Sequence, residues 1–195
     1  MKSLRSLTSH LASLAGMLSV AFCSTILAAT PSVLNGKVIA VIDGDTIVVR
    51  EDNGHRADIR ITGIDAPEIR QAYGPRARQH LNELVYGKRV TVSWYKLDRY
   101  RRTLGHVRLL LPENCRGSAC THAIDVALAQ VEAGLAWHDT EHLTEQPVDE
   151  QQRYARAERQ ARLQRLGLWA QMRPLPPWQY RHRYANALPP LPRLH

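Results

Sequence analysis

The chain has 195 residues, of which 26 are lysine or arginine and 18 are aspartate or glutamate, so its formal net charge is +8 at pH 7. About 165 residues remain if the leader predicted below is removed, a length that suits one domain with a sizeable core and argues against a second. Removal of the two basic residues of that leader still leaves a charge of +6, so a polyanionic partner is favoured, although many basic proteins bind none.

Residues 1–29 are typical of an export signal that is cleaved off. Lys2 and Arg5 supply positive charge, and an almost uncharged apolar run follows at 11–29 and ends in small residues. A membrane-spanning helix kept as an anchor is the alternative, since this run approaches the roughly 20 residues that cross a bilayer. We predict cleavage, export to the periplasm or to the medium, and no stable membrane association afterwards.

Three strands are predicted after the leader. Residues 38–42, 46–49 and 57–62 are rich in β-branched side chains with a period of two. Asp43-Gly44-Asp45 separates the first two runs and an Asp-Asn-Gly sequence the next two, and such pairs are typical of tight turns between strands. The chain is therefore expected to begin its domain with a β-meander.

A helix, two strands and two more helices are predicted next. Gly74-Pro75 marks a helix start, because the first turn does not use the N–H that proline lacks. Strands are predicted at 90–95 and 104–111, and apolar residues at helical spacing predict helices at 124–135 and 149–166. Five short strands that close on themselves leave no exposed edge, so we predict an α+β fold that is mainly a small β barrel flanked by three helices.

Residues 171–195 are predicted to form a tail beyond a single domain at 30–170. The tail contains six prolines after Arg173, which argue against a helix or an inner strand, so it is expected to wrap the surface or to be disordered. Its segment 178–184 interleaves aromatic and cationic side chains. This pattern favours either a surface that stacks bases and follows a phosphate backbone, or a tail that packs its aromatic rings on the domain.

Cys115 and Cys120 remain after removal of the leader, which contains Cys23. In an exported chain two cysteines predict one disulfide. Because the closed loop is short, the bond would stabilise the fold by only about 2 kcal/mol and would mainly fix a loop tip. A metal site with His106 or His122 as further ligands is the alternative.

Acidic side chains stand at the ends of the predicted strands, in segments 42–46 and 59–68. Carboxylates without neighbouring histidine or cysteine offer hard oxygen ligands, which suit calcium or magnesium rather than zinc. Taken alone, the first segment favours a hairpin turn over a metal site, and the second is an ordinary strand exit. The metal hypothesis depends on their combination with Arg60 and with Arg102, which follows another predicted strand.

This combination is what phosphodiester hydrolysis requires. Negative charge gathers on the phosphoryl oxygens in the transition state, and a divalent ion and arginine side chains can stabilise it. The guanidinium is a planar fork that fits two phosphate oxygens at once, as an ammonium group does not. Water is a weak nucleophile, and a carboxylate such as Glu68 can act as its general base.

Several motifs resemble those of the thermonuclease (staphylococcal nuclease) family, in the same order and at similar spacing, between about residues 38 and 169. They are Val41-Ile42-Asp43-Gly44-Asp45-Thr46, Arg60 followed by Asp65-Ala66-Pro67-Glu68, Tyr73-Gly74-Pro75, Asp98-Arg99-Tyr100 with Arg102, and Gly134-Leu135-Ala136. The resemblance implies a five-stranded oligonucleotide-binding-type (OB) barrel with three helices. It also implies calcium-dependent cleavage of DNA and RNA that leaves 3'-phosphate ends.

The resemblance further implies a calcium (Ca2+) site. Asp45 and Asp65 would be direct ligands, and the backbone carbonyl of Ala66 would be a third. Asp43 would hold the water molecules of the metal. These ligands are all oxygens, as calcium prefers.

Three catalytic roles follow from the same resemblance. Glu68 would be the general base or would position the attacking water, and Arg60 and Arg102 would bind the phosphate. Arg102 would also stabilise the leaving oxygen. All of these positions retain the chemistry that the roles need.

The sequence departs from the family pattern at two places. Arg101 stands where the family commonly has glycine, immediately before the arginine of the hairpin, which can restrict the turn or add a phosphate contact. Segment 137–142 lacks the tyrosines that the family often uses to stack bases, so base preference is open. His138 and His142 in this segment are at helical spacing for a metal, but they have no third ligand, and we predict that they are solvated.

Two classes of function remain. The leading hypothesis is a phosphodiesterase with DNA or RNA as substrate, expected to be a monomer. The alternative is a non-catalytic module in which the same barrel holds single-stranded nucleic acid without cutting it, because a fold does not guarantee a function. Retention of the full acidic and arginine set favours the enzyme.

Overall fold

The computed structural model describes residues 31–110 and 123–184. The predicted leader at 1–29 and the predicted disulfide between Cys115 and Cys120 lie outside these residues. In the described residues no helix is long and apolar enough to cross a membrane.

The strands of the described residues are β1 Ser32–Val41, β2 Thr46–Glu51, β3 Arg56–Ile61, β4 Ile64–Asp65, β5 Arg89–Leu97, β6 Thr103–Leu109, β7 Ile124–Asp125 and β8 Trp137–His138. The buried side chains of β1 and β6 follow the predicted period of two, whereas the first four residues of β2 are all buried. β1 starts six residues before the predicted strand, because its first half pairs with β5 while its second half pairs with β2. One long strand thus joins the two hairpins of the sheet.

The five long strands close into a barrel, as predicted. They are hydrogen-bonded in the order β3-β2-β1-β5-β6, and a parallel pairing of β3 with β6 joins the two ends. In this pairing Ile59 lies opposite Thr103 and Arg60 lies opposite Leu104. Closure removes both free edges and brings the strand of Arg60 next to the strand that Arg102 precedes.

The described residues contain four α-helices rather than the predicted three: α1 Gly74–Val85, α2 Val126–Glu132, α3 Val148–Leu163 and α4 Pro177–Tyr184. The fourth lies in the tail, so the prediction that the tail holds no helix is wrong. The physical reason is local, because Pro177 is the first residue of the helix, where its missing N–H costs nothing, and no proline follows before residue 185.

Two apolar clusters hold these elements together. The larger one fills the barrel and extends to α1 and α2 through residues such as Leu81 and Val131. The smaller one consists of Trp137, Ala161, Leu168 and Trp169, with Trp178 of α4 packed against it. The second cluster therefore fixes the tail helix to the body of the domain, which agrees with the packing alternative for segment 178–184.

Candidate functional site

One cleft of about 760 Å³ lies at the end of β3 and gathers every residue for which a metal or catalytic role is predicted. Its lining includes Asp43, Asp45, Arg60, Asp65, Ala66, Glu68 and Arg102. These residues come from four separate places in the chain: the β1–β2 turn, β3, the segment around β4 and the β5–β6 hairpin. The barrel is what brings them together.

The turn between β1 and β2 positions Asp45. Its backbone N–H donates to Asp43 Oδ1 at 3.0 Å, which is the local bond that makes Asp-Gly-Asp a turn. Glycine is required at position 44, because a Cβ there would meet the Cβ atoms of Ala66 and Ala77 at 2.6 and 2.7 Å. The backbone N–H of Ala66 in turn donates to Asp45 Oδ2 at 2.6 Å, so this turn and the predicted carbonyl ligand are joined directly.

A two-stranded pairing that the sequence did not reveal positions Asp65. β4 pairs antiparallel with β8, so that Asp65 lies opposite Trp137 and Ile64 opposite His138. Asp45 and Asp65 are each only 5% exposed. The site therefore contains two buried carboxylates. Asp45 is fixed by the backbone N–H of Ala66, and Asp65 by the pairing of its strand with β8.

Arg60 stands between these two aspartates. Its Nη1 is 3.2 Å from Asp45 Oδ1, and its Nη2 donates to Asp65 Oδ1 at 3.0 Å. Nη1 also donates to the carbonyls of Ile61 and Ile64, at 2.8 and 3.0 Å. Although burial disfavours its charge, the neighbouring aspartates outweigh this effect and raise the pKa of Arg60, so the guanidinium stays charged.

Burial controls the protonation of the aspartates. It raises the pKa of Asp45 to about 7; Arg60 opposes this shift and Asp43 adds to it. Burial also raises the pKa of Asp65, against the opposing hydrogen bond from Arg181. Burial makes both carboxylates costly to ionise, and a bound cation would stabilise their charged forms. The pair therefore fits a divalent metal ion.

The β5–β6 hairpin positions Arg102. Asp98 Oδ1 accepts from the backbone N–H groups of Tyr100 and Arg102, at 2.8 and 2.9 Å, and Asp98 Oδ2 accepts from Arg102 Nε at 2.8 Å. Burial opposes ionisation of Asp98, but the amide and guanidinium of Arg102 outweigh it and lower the pKa of this carboxylate. Arg102 Nη1 reaches Thr46 Oγ1 at 3.4 Å, which connects the hairpin to the β1–β2 turn.

Arg101 adopts a left-handed backbone conformation in this hairpin, with φ of 65°. This is the region that glycine enters without steric cost. The departure from glycine noted in the sequence therefore falls at a position whose geometry favours glycine, and the hairpin keeps its turn with arginine there.

Glu68 is positioned by hydrogen bonds of its backbone, while its carboxylate contacts Arg181 at 2.9 Å. Its N–H donates to Gln71 Oε1 at 3.2 Å, and its carbonyl accepts from the N–H of Gln71 at 2.7 Å. A Cβ at position 74 would lie 1.9 Å from the carbonyl oxygen of Glu68, so Gly74 allows the start of α1 to approach this segment. The carboxylate of Glu68 projects into the cleft, where its side chain is 30% exposed and within reach of water.

Two residues that act on this site were not predicted from the sequence. Arg181 of α4 lines the cleft and contacts Asp65 and Glu68. Gln130 of α2, which is fully buried, donates from Nε2 to the carbonyl of Gly44 at 2.6 Å. The cations in segment 178–184 were a signal for the first, whereas a glutamine within an apolar helix face was the only signal for the second.

The prediction that His138 and His142 are both solvated is wrong for His138. His138 is 5% exposed, because β8 lies against β4, and its Nε2 is 3.1 Å from Gln146 Oε1. His142 is exposed at the rim of the cleft, where a hydrogen bond with Asp139 raises its pKa.

A second group of side chains, outside the cleft, has the donor atoms and the spacing of a metal site. Within the described ranges, His106, Asp125 and Glu150 form the one group of three whose ligand atoms all lie within 4.8 Å of one another. Cations of the chain already surround it, since Arg153 Nη2 lies 3.9 Å from Asp125 Oδ2 and 3.7 Å from Glu150 Oε1. Asp125 also accepts from the Leu128 N–H at the start of α2, so this group has a structural role.

The geometry of the cleft supports reaction at a phosphate. Two buried aspartates and a carbonyl offer oxygen ligands, two arginines reach the same space, and an accessible carboxylate stands beside them. Arg99, Tyr100 and Lys96 form part of its outer lining, which adds cations and an exposed ring next to the reacting position. Cations with an exposed ring suit a nucleic-acid strand.

Comparison with known proteins agrees with this geometry. The family profile described as staphylococcal nuclease homologue matches residues 58–171. A protein of Shigella flexneri named micrococcal nuclease is 36% identical over 176 residues, which cover 89% of this chain and 97% of that protein. A protein of Escherichia coli O157:H7 named as an endonuclease is 37% identical over 150 residues, covering 77% of this chain and 86% of the relative.

Proposed function

Because the chain belongs to the staphylococcal nuclease family, we propose that it is a calcium-dependent nuclease that cleaves DNA and RNA and leaves 3'-phosphate ends. Its relatives are named as a nuclease and an endonuclease, and such enzymes hydrolyse phosphodiester bonds. The observation that carries the proposal is the cleft in which buried Asp45 and Asp65 meet Arg60, Arg102 and Glu68.

Asp45, Asp65 and the carbonyl of Ala66 would hold the calcium ion, and Asp43 would hold its water molecules. Oxygen donors alone are the ligand set that calcium prefers. When bound, calcium supplies positive charge that stabilises the phosphoryl oxygens of the transition state. The close contacts among these residues, with Asp45 accepting from the Ala66 N–H, support a preformed site.

Glu68 would take a proton from the attacking water. The oxygen of that water then forms a bond to phosphorus, in line with the 5' oxygen, and the bond from phosphorus to the 5' oxygen breaks. Arg60 and Arg102 would hold the phosphoryl oxygens through the transition state, and Arg102 would stabilise the leaving 5' oxygen. That oxygen takes a proton from solvent to become a hydroxyl, and Glu68 returns its proton to solvent. The phosphate then remains on the 3' side, which accounts for the proposed product.

The shape of the cleft supports a polymer substrate. It is open to solvent at the hairpin, where the side chain of Tyr100 is 66% exposed and the guanidinium carbon of Arg99 lies 5.0 Å from the centre of its ring. An exposed ring flanked by cations can stack on a base while the cations meet the backbone phosphates. A non-catalytic module would need the same surface, but it would have no use for Glu68 beside two buried aspartates.

We further propose that the enzyme works outside the cytoplasm as a monomer. The support for export is the sequence alone: the basic and apolar leader at 1–29 and the pair Cys115 and Cys120, which would form a disulfide in an oxidising compartment. Mass spectrometry of exported protein is expected to show a start near residue 29 and joined cysteines. Free thiols in that material would argue against this destination.

The test of the activity uses purified mature protein, DNA and RNA, with calcium or with a chelator. Cleavage is expected with calcium and is expected to stop with the chelator, and the products should carry 3'-phosphates. Asp65→Asn should lose calcium binding and cleavage while the domain stays folded. Asp58→Asn is the matched control, since Asp58 lies on β3 but is exposed and pairs with Arg56 outside the cleft. Full cleavage in the chelator would refute the metal assignment.

A further inference from the structure

Helix α4 brings a third arginine into the cleft. Arg181 Nη2 donates to Asp65 Oδ2 at 2.8 Å, and Arg181 Nη1 donates to Asp65 Oδ1 at 3.0 Å and to Glu68 Oε1 at 2.9 Å. Both oxygens of Asp65 and one oxygen of Glu68 thus accept hydrogen bonds from a single guanidinium. The residues concerned are one proposed metal ligand and the proposed general base.

The position of this arginine is fixed from the other end of the helix. Trp178 packs on Trp137 with ring centroids 5.4 Å apart, and Pro177 is buried. Residues three apart on a helix share a face, so Trp178 directs Arg181 toward the cleft. The Tyr180 hydroxyl also donates to the carbonyl of Arg70 at 3.3 Å, on the segment that follows Glu68.

The charges of the site explain why a cation is held there. Asp45 and Asp65 are both buried and share the single guanidinium of Arg60, so ionisation of both carboxylates requires a second cation. Arg181 supplies the second positive charge. Its side chain is 49% exposed, so it can turn into water while Trp178 and Pro177 keep the helix in place.

We propose that Arg181 is an intramolecular cation that competes with the divalent metal ion for Asp65, while the same guanidinium also binds the proposed general base Glu68. The proposal rests on the calcium site of the proposed function. The guanidinium fork uses both oxygens of Asp65, so a metal ion that binds this carboxylate must displace at least part of the fork. Two positive groups at one carboxylate also repel each other, which makes the two occupants alternatives.

A consequence follows for the response to calcium. The metal binds only the fraction of molecules in which Arg181 has turned away, so the apparent dissociation constant equals the intrinsic one divided by that fraction. The side chain thereby sets the calcium concentration at which the site fills. Linkage is reciprocal, so calcium in turn releases Arg181 from Asp65 and Glu68.

A different role for the same side chain makes the opposite prediction. If Arg181 stayed in the cleft beside the metal and bound the substrate phosphate, its loss would weaken nucleic-acid binding and would not strengthen calcium binding. The two roles are therefore separated by titration with calcium alone, in the absence of any substrate.

The experiment is calorimetric titration of calcium chloride into the folded mature protein, Arg181→Ala and Arg183→Ala. Arg183 is the matched control because it is an exposed arginine of the same helix, and its loss removes the same charge. Arg181→Ala is expected to bind calcium with a dissociation constant about tenfold lower than that of the parent, a change of about 1.4 kcal/mol. Arg183→Ala should stay within about threefold, the residual effect of one exposed charge.

Thermal unfolding provides a second measurement. In chelator, Arg181→Ala should melt below the parent, because Asp65 and Glu68 have lost their counter-cation, and calcium should raise its melting temperature by more than it raises that of the parent. Equal or weaker calcium binding by Arg181→Ala would overturn the competition while leaving the calcium site intact. If neither the parent nor Arg181→Ala bound calcium, both the calcium site and the competition would be overturned. If Arg181→Ala bound calcium and the parent did not, the result would support the competition.

Discussion

Replacing Gln130 with methionine is expected to destabilise the domain and to disturb the cleft at the same time. Gln130 is fully buried, and its Nε2 donates to the carbonyls of Gly44 and Ala77, at 2.6 and 3.1 Å. Its Oε1 pairs with His80 Nδ1. The side chain therefore joins α2 to α1 and to the turn that carries Asp45.

The size of the effect follows from the bonds that are lost. Methionine fills a similar volume but cannot donate. The buried carbonyl of Gly44 then loses the partner that Gln130 supplies, which costs about 1–3 kcal/mol, whereas the carbonyl of Ala77 keeps its place in the hydrogen-bond ladder of α1. With the contact between Gln130 Oε1 and His80 Nδ1 lost as well, the expected loss in the free energy of unfolding is about 2–4 kcal/mol. Because Asp45 follows Gly44 in the same turn, calcium affinity and cleavage rate should fall as well.

Urea unfolding followed by circular dichroism measures the stability, and calorimetry measures calcium binding. Gln79→Met is the matched control, because Gln79 is exposed and bonds only to Glu83 one turn along α1 in the described contacts. The control is expected to change stability by less than about 0.5 kcal/mol. If Gln130→Met stayed within the same limit, Gln130 would not be what fixes this turn.

Three further predictions concern catalysis, the hairpin and pH. Glu68→Gln and Arg102→Ala should each lower single-turnover cleavage by about 100-fold or more with the fold intact, and full cleavage by both would favour the non-catalytic module. Glycine makes the unfolded chain more flexible in both variants, which lowers stability. At position 101, where φ is 65°, glycine also removes the steric cost of the left-handed conformation, so Arg101→Gly should leave the melting temperature unchanged or higher. Arg99 does not have a positive φ, so Arg99→Gly has no such compensation and should lower the melting temperature. Burial opposes ionisation of Asp125, but the contact with His106 Nε2, 3.2 Å from Asp125 Oδ2, and further contacts outweigh it and lower the pKa of Asp125. The ionised carboxylate of Asp125 therefore stabilises the fold at pH values above 3.8, its ordinary pKa, and this stabilisation is lost as the pH falls through its lower pKa in the folded protein. In acid-unfolding curves, the difference in stability between Asp125→Asn and the parent should therefore shrink below about pH 4.

The barrel and the set of cleft residues were accessible from the sequence because both depend on local patterns. β-Branched runs with period two predicted the five strands, and Asp-Gly and Asn-Gly pairs predicted the turns between them. The carboxylates and arginines stand at strand ends, where a closed sheet must bring them near one another. Asp45, Asp65 and Arg60 therefore meet as the motif order suggested.

The contacts that complete the site were not accessible, because each joins distant parts of the chain. The pairing of Asp65 with Trp137 rests on two strands of two residues each, which are too short to leave a periodic signal. Helix α4 was missed because the proline content of the whole tail concealed an eight-residue stretch with proline only at its start. The contact of Arg181 with Asp65 then depends on how Trp178 docks, which no local pattern specifies.

The parallel pairing of β3 with β6 has a consequence for the order of folding. It is a non-local contact that joins residues 59–61 to 103–105, and such contacts form late because a long intervening loop must first be closed. Arg60 lies within this pairing, and Arg102 directly precedes it. The meander and α1 can therefore form while the two arginines are still apart, and nucleolytic activity should appear only after this pairing has closed the barrel.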